Sequence, residues 1–328
     1  MKPSVYQLQL QKICEATEIY HAGQFALSGQ VHEISPNHPI TSTNSDLLQG
    51  PLCRQLAYQL YCDFYISKDL GKPYSQGDLS NRLHQQNQTQ DSWDPDWKIY
   101  RQFGDGRILV HKGDTSRMAV VGEYASNKWP GVAPQPGDLV HLRIKPGVND
   151  FQSGYYYSFG QQLSDQFDEC QLLRCYFNVD AEGADLLLQQ LSTQLNRYKL
   201  PFRFKTLLQP QAYNRSDAAV LYCARRYLYC LKLILEALHP KIHQILGNSV
   251  PMFTLELHPG IAIADDPGNG ESFGMHRSRI IAEGLLQAWI NNQRTIEQKL
   301  QQINLRFNFY QLDPDRPYLN KNSADYFQ

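Results

Sequence analysis

The side chains with the most chemical potential lie between residues 174 and 279, in segments that otherwise read as core. In the run Leu172-Leu173-Arg174-Cys175-Tyr176-Phe177-Asn178-Val179, the arginine, tyrosine and asparagine occupy alternate positions. Side chains two apart on a strand share a face, so Arg174, Tyr176 and Asn178 lie opposite Leu173, Cys175, Phe177 and Val179. The run Pro201-Phe202-Arg203-Phe204-Lys205-Thr206 repeats the pattern, with Arg203 and Lys205 opposite Phe202 and Phe204. A lysine held among apolar neighbours and other cations binds its proton less tightly and becomes able to act as a base. A polar turn, Tyr213-Asn214-Arg215-Ser216-Asp217, precedes an apolar strand. Further on, Ser272-Phe273-Gly274-Met275-His276-Arg277-Ser278-Arg279 opens a helix, and free N–H groups with the positive dipole end make such a terminus attractive to anions. Arginines there can add bidentate contacts to phosphate oxygens. Each cation taken singly also fits an ion pair, Arg215 with Asp217 or Arg277 with Glu271, or an arginine snorkelling at a strand edge, as at Arg203. Three separate segments that set cations against core point to one pocket for a phosphate-bearing group.

These residues must be positioned by an α+β fold. With 328 residues and 42% hydrophobic side chains the chain has enough apolar sequence for a substantial core. Residues 1–92 read as helical and glutamine-rich, with Leu48, Leu52, Leu56, Leu60 and Phe64 at helical spacing over 47–66. A polar surface loop is expected at 85–91. Residues 95–165 change to short β-forming runs at 99–103, 107–111, 118–123, 138–144 and 154–159, separated by Gly-Asp or Pro-Gly turns, which predicts an antiparallel sheet or small barrel. Trp129, Pro130 and the turn Pro134-Gln135-Pro136-Gly137 mark a connecting loop. From 166 onward, strands at 172–179, 201–208, 218–223, 253–257 and 261–264 alternate with helices at 184–197, 225–246, 276–292 and 295–305, ahead of a tail expected to be loose. The expected organisation is a helical and β-rich N-terminal half, 1–165, packed on a mixed sheet-and-helix half, 166–328.

Composition excludes several classes. A formal net charge of −1 argues against a dedicated nucleic-acid binder, which needs a basic surface. No apolar run approaches the ~20 residues of a membrane-spanning helix, so no membrane partner is expected. The first twenty residues lack a signal-type apolar stretch, and the expectation is a cytoplasmic protein with reduced, mostly buried cysteines. The 7 cysteines include no CxxC pair. Gly268-Asn269-Gly270 lacks the Gly-Lys-Ser/Thr of a phosphate loop, and Asp265-Asp266 before Pro267 reads as a turn. His239 and His243 lack the glutamate of a zinc-protease helix, and no metal site is expected.

The four ordered motifs, from Arg174-Cys175-Tyr176-Phe177-Asn178-Val179 to Gly270-Glu271-Ser272-Phe273-Gly274-Met275-His276-Arg277-Ser278-Arg279, resemble the HopA-type effector-like family over about 172–289. That family is named for a plant-pathogen type III effector. Some members are encoded beside a kinase-like partner in peptide natural-product clusters, including lanthipeptide-type ones, as lyase subunits that convert phosphorylated Ser or Thr to dehydroamino acids. It is similar in turn to phosphothreonine lyases, which implies a lyase-like C-terminal half, a phosphorylated peptide or protein as partner, and lysine-initiated β-elimination without metal or organic cofactor. The resemblance makes Lys205 the base, Arg215, Arg277 and Arg279 the phosphate holders with Arg174 as a further contact, and Tyr222 and Asn178 substrate-orienting. The lyases carry Lys-x-His where this chain has Arg174-Cys175-Tyr176. The general acid is therefore Tyr176, whose reference pKa is ~10, or His276. That departure also leaves open a non-catalytic module that binds a phosphopeptide or signalling protein.

Overall fold

The computed structural model describes residues 3–34, 44–66, 77–126, 128 and 132–327; Trp129 and Pro130, expected in a loop, lie outside them. The chain begins with α1 (Val5–Ala16), capped by the Ser4 hydroxyl, and a small antiparallel sheet of β1 (Thr17–His21), β2 (Gln24–Leu27) and β3 (Gln30–Glu33). These three strands were not expected; the region had read as helical. Helices α2 (Asn44–Gln49) and α3 (Pro51–Leu60) follow, and α3 buries Leu52, Leu56 and Leu60, the leucine stripe visible in the sequence. It runs into a π-helical turn, Tyr61–Tyr65. After α4 (Ser80–Gln86), strands β4 (Ser92–Gln102), β5 (Ile108–Lys112), β6 (Thr115–Ala119), β7 (Tyr124–Ser126) and β8 (Leu139–Ile144) build an antiparallel sheet ordered β6-β5-β4-β8-β7. It has its own small core around Trp97, Ile108, Val110 and Val140.

The principal sheet has seven antiparallel strands in the order β14-β15-β11-β13-β12-β10-β9. They are β9 (Gly147–Val148), β10 (Tyr155–Phe159), β11 (Leu172–Phe177), β12 (Phe202–Leu207), β13 (Ala219–Ala224), β14 (Leu255–His258) and β15 (Ile261–Asp265). The expected boundary at 165/166 therefore does not follow the sheet, because β9 and β10 pair into it through β12. The connecting helices are α5 (Gln166–Cys170), α6 (Ala184–Arg197) and α7 (Leu228–Ile242). On α6, Leu187, Leu188, Leu191 and Leu195 recur at helical spacing and are fully buried. The N-terminal helices and this sheet share one continuous core.

Helices α8 (Phe273–Ile290) and α9 (Ile296–Phe309) complete the fold. A capping box of Thr295 and Gln298 starts α9. The residues after α9 are not loose: Leu312, Tyr318, Leu319 and Phe327 are buried in the common core. Where the two helices cross, Gly284 allows the closest approach, since a Cβ there would meet the Ile303 Cα at 2.6 Å. Backbone cannot move aside as a flexible side chain can, so Gly284→Ala is expected to destabilise the protein by about 1–3 kcal/mol. A denaturant midpoint equal to that of the unaltered chain would show that α9 can shift away at no cost.

Candidate functional site

Register fixes which side chains share the face of the principal sheet that looks toward the π-turn and the start of α8. One row runs Ala264, Arg174, Tyr222, Arg203, Phe159 across β15, β11, β13, β12 and β10. The next row runs Ala262, Tyr176, Val220, Lys205, Tyr157. The strand alternation seen in the sequence thus brings Arg174, Tyr176, Arg203, Lys205 and Tyr222 together. Small residues at 262 and 264 leave room beside the long side chains of β11. Tyr65 of the π-turn stands edge-on to Tyr176, ring centroids 6.5 Å apart, and Phe273 at the start of α8 lies 6.4 Å from it. Arg215 reaches in from the turn before β13. It makes two bonds to the Asp217 carboxylate and a third, at 2.6 Å, to the Tyr61 hydroxyl.

The arginines of this face have acidic partners. Arg174 donates to Asp266 at 2.6 Å and to the Glu271 carbonyl at 3.0 Å, and Arg203 pairs with Glu169 at 3.0 Å. The Tyr222 ring lies between these two guanidiniums, 5.3 Å from one and 5.6 Å from the other. Lys205 is different. Its Nζ sits 4.6 Å from the centre of the Tyr155 ring and has no carboxylate within ion-pairing distance among the described residues. Burial pushes its pKa down to about 8, helped by Arg174 and Arg215 and opposed by Asp217. The Tyr176 hydroxyl, raised by burial well above its ordinary range, is buried without an acceptor or donor among the described residues, as is that of Tyr65. The two hydroxyls are near enough to influence each other's ionisation, yet they do not meet at hydrogen-bond geometry.

Four expected site residues have other work. Arg277 is fully buried and holds the chain end: Nε donates to the Pro317 carbonyl at 2.7 Å, and Nη2 to the Leu319 carbonyl and the Asn320 side chain. Those bonds commit the guanidinium to backbone rather than to a phosphate. Arg279 pairs with Glu271 and with the buried Glu283, which also binds Arg306 and Tyr310, so it ties α8 to α9. His276 accepts from Arg277 through Nδ1, and burial followed by the charges of Arg277, Arg279 and Arg174 depresses its pKa to about 3. It is neutral near pH 7 and lacks the imidazolium proton that a general acid would donate. Asn178 lies past the end of β11 and donates at 2.9 Å to the Ser249 carbonyl and hydroxyl, which fixes a turn and not a substrate. The α8 terminus is capped by its own Ser272 hydroxyl, donated to by the Met275 N–H. Asp265 and Asp266, read as turn residues, instead hold Arg225 and Arg174.

Sequence reasoning missed Tyr61 and Tyr65, whose rings stack at 5.3 Å in the π-turn, and Tyr155 and Tyr157, which face Lys205. The alternation of Tyr155 and Tyr157 in an expected strand was an available signal; the π-turn had none. Among the described residues no cluster of three or more His, Cys, Asp or Glu could hold a metal, and no helix is long and apolar enough to cross a membrane.

Comparison with known proteins follows the same part of the chain. The sequence profile described as the HopA1 effector protein family matches residues 148–319. Solved structures of effector proteins from Pseudomonas syringae pv. tomato strain DC3000 and pv. syringae strain 61 are similar at 17% and 16% identity, with TM-scores of 0.42 and 0.39. Each match covers 51% of this chain and 63% of the effector, so the chain spans less than two thirds of their length. No curated protein sequence matches.

Two measurements test this site. Lys205 in the unfolded chain has a pKa of ~10.4, so below pH 8 both states carry the proton and the folded state bears the cost of a buried ammonium. Between about 8 and 10 the folded protein releases its proton first, and that cost fades. Lys205→Met should therefore raise stability at pH 7 by roughly 1–3 kcal/mol, with the advantage vanishing toward pH 10; a gain independent of pH would contradict the depressed pKa. Arg277→Met should speed amide hydrogen exchange over 317–320 and lower stability by about 3 kcal/mol or more. Unchanged exchange there would mean the tail is held without it.

Proposed function

Because the chain belongs to the HopA1 effector protein family, we propose that its sheet face receives a phosphorylated Ser or Thr of a peptide and that Lys205 starts elimination of the phosphate. The observation that carries this reading is the Lys205 amine, which has no carboxylate in ion-pairing distance among the described residues and a pKa of about 8, beside the row that holds Arg174 and Arg203. A substantial fraction is unprotonated just above neutral pH, as a base requires. Its lone pair takes the Cα proton of the phosphorylated residue. The C–H electrons form the Cα–Cβ double bond, the Cβ–O bond breaks, and phosphate departs with its bonding pair. Arg174 and Arg215 each leave Nη1 uncommitted among the described residues, while their carboxylates hold the rest of the guanidinium in place. The orphaned Tyr176 hydroxyl offers one more donor to a phosphate oxygen. Tyr222, between Arg174 and Arg203, keeps those planes apart. A kinase-like partner would supply the phosphorylated residue.

One observation favours binding without turnover. His276 is held neutral and Tyr176 is pushed above its ordinary range, so neither is tuned to hand a proton to the leaving phosphate. Mass spectrometry of a phosphothreonine peptide after incubation separates the readings, because elimination removes phosphoric acid and leaves an alkene whereas hydrolysis leaves a hydroxyl. The expected product is the alkene, formed at a rate that rises with pH through about 8 as Lys205 loses its proton, and reduced at least ~100-fold in Lys205→Met. Arg215→Ala should weaken peptide binding about tenfold. Tight binding with no dehydrated product at any pH would leave the binding module.

A further inference from the structure

The same face continues past Lys205 into a cleft that the elimination does not use. Tyr157 stands beside Lys205 and Phe159 beside Arg203 in the register of β10 and β12. Phe151, in the loop ahead of β10, closes on both rings at 4.8 and 6.3 Å while remaining 64% exposed. Beyond Phe151 and Phe159 the surface drops into a cleft of about 280 Å³, walled across from them by Met118, Leu142, Ile144 and Leu163. It lies where the five-stranded sheet meets the principal sheet.

Most charge around this cleft is already answered: Arg143 pairs with Asp91 and Lys145 with Glu123. Arg117 is the exception. No carboxylate among the described residues lies within ion-pairing distance; its Nη2 donates to the Ser164 carbonyl at 3.2 Å, and its Nε–H is buried without an acceptor. It lies within electrostatic range of Arg203 and Glu169, which joins the cleft to the cation row. A buried N–H left unanswered is destabilising, and beside an apolar hollow it suits a guest that brings both a hydrocarbon side chain and a backbone carbonyl.

We propose that this cleft is a specificity subsite for the phosphopeptide, taking a leucine- or phenylalanine-sized side chain two or three residues from the phosphorylated one while the Arg117 Nε–H donates to a neighbouring peptide carbonyl. The spacing follows from strand geometry. Phe159 is one strand across from Lys205 and two residues along, roughly 8 Å away, and an extended peptide advances ~3.3 Å per residue. The inference rests on the phosphopeptide reading of the Lys205 site, and it adds the recognition which that reading leaves unspecified.

The full chain is tested with phosphothreonine peptides in which each flanking position, four to either side, carries Leu, Phe, Ala or Asp in turn. One position two or three residues away is expected to favour Leu or Phe over Ala by about tenfold in Kd or kcat/KM. That preference should fall below ~3-fold in Phe151→Ala, at a side chain 64% exposed, with the variant's thermal midpoint checked against the unaltered chain. In Arg117→Met the advantage of a full peptide over one truncated before that position should shrink. If phosphopeptides bind or react but no flanking position discriminates, or both variants keep the preference intact, the subsite is refuted and the phosphate site stands. If no phosphothreonine peptide binds or reacts, both are refuted.

Discussion

Lys205 keeps its amine over a tyrosine ring with no carboxylate in ion-pairing distance among the described residues, and the surrounding residues are arranged so that this state persists. A free carboxylate at this position would pin the lysine in its charged form. Asp217 is the group near enough to do so, since it already opposes the downward shift. It is instead held by two bonds from Arg215, which is itself fixed by the Tyr61 hydroxyl. Arg215 therefore acts on Lys205 twice, by its own charge and by occupying the anion that would neutralise it. Asp266 and Glu169 do the same for Arg174 and Arg203. These pairs cancel most of the repulsion in the row without giving the lysine a partner.

The chain end belongs to this arrangement. Arg277 has lost part of its affinity for the proton through burial, its pKa lowered to about 9, and it satisfies carbonyls of residues 317 and 319 that no strand or helix would otherwise answer. Asn320 then reaches the loop after β15, its N–H donating to Asp265 and its side chain to the Asp266 carbonyl. Asp266 is the carboxylate that steadies Arg174. The tail is thus connected to the cation row through a short chain of hydrogen bonds, and a segment that reads as a polar appendage is part of the site's foundation.

How much of this was legible depends on the range of the determining interaction. The alternation of Arg174 with Tyr176 and of Arg203 with Lys205 is local, and a period of two dictates a shared face whatever the partners are. Helix α6 was equally plain, because its leucines repeat over 14 residues. The destinies of Arg277 and Arg279 were not. An arginine at a helix start looks the same whether its donors meet a phosphate, a carbonyl 40 positions away or a glutamate on the next helix. The placement of β10 in the principal sheet was hidden for a similar reason, since its partner β12 is some 45 residues on and a hairpin-like neighbour was the simpler expectation. Strands β1 to β3 are 4 or 5 residues long, and β1 and β3 are largely exposed, so only the short run Phe25-Ala26-Leu27 of β2 carries an apolar signal.

The family match begins at residue 148 and so includes every strand of the principal sheet apart from the first residue of β9, together with α8. It leaves out Tyr61 and Tyr65, which cover the Tyr176 end of the face, and Arg117 and Met118, which wall its other end. The shared part supplies the cation row, and segments outside it close both sides. A site built in this way separates two tasks. Charge and basicity come from register within one sheet, where displacement by one residue would turn every group to the opposite face. Shape comes from a π-turn and a separately cored five-stranded sheet, which can differ among relatives without disturbing that register. Family membership by itself therefore does not say what such a face would hold.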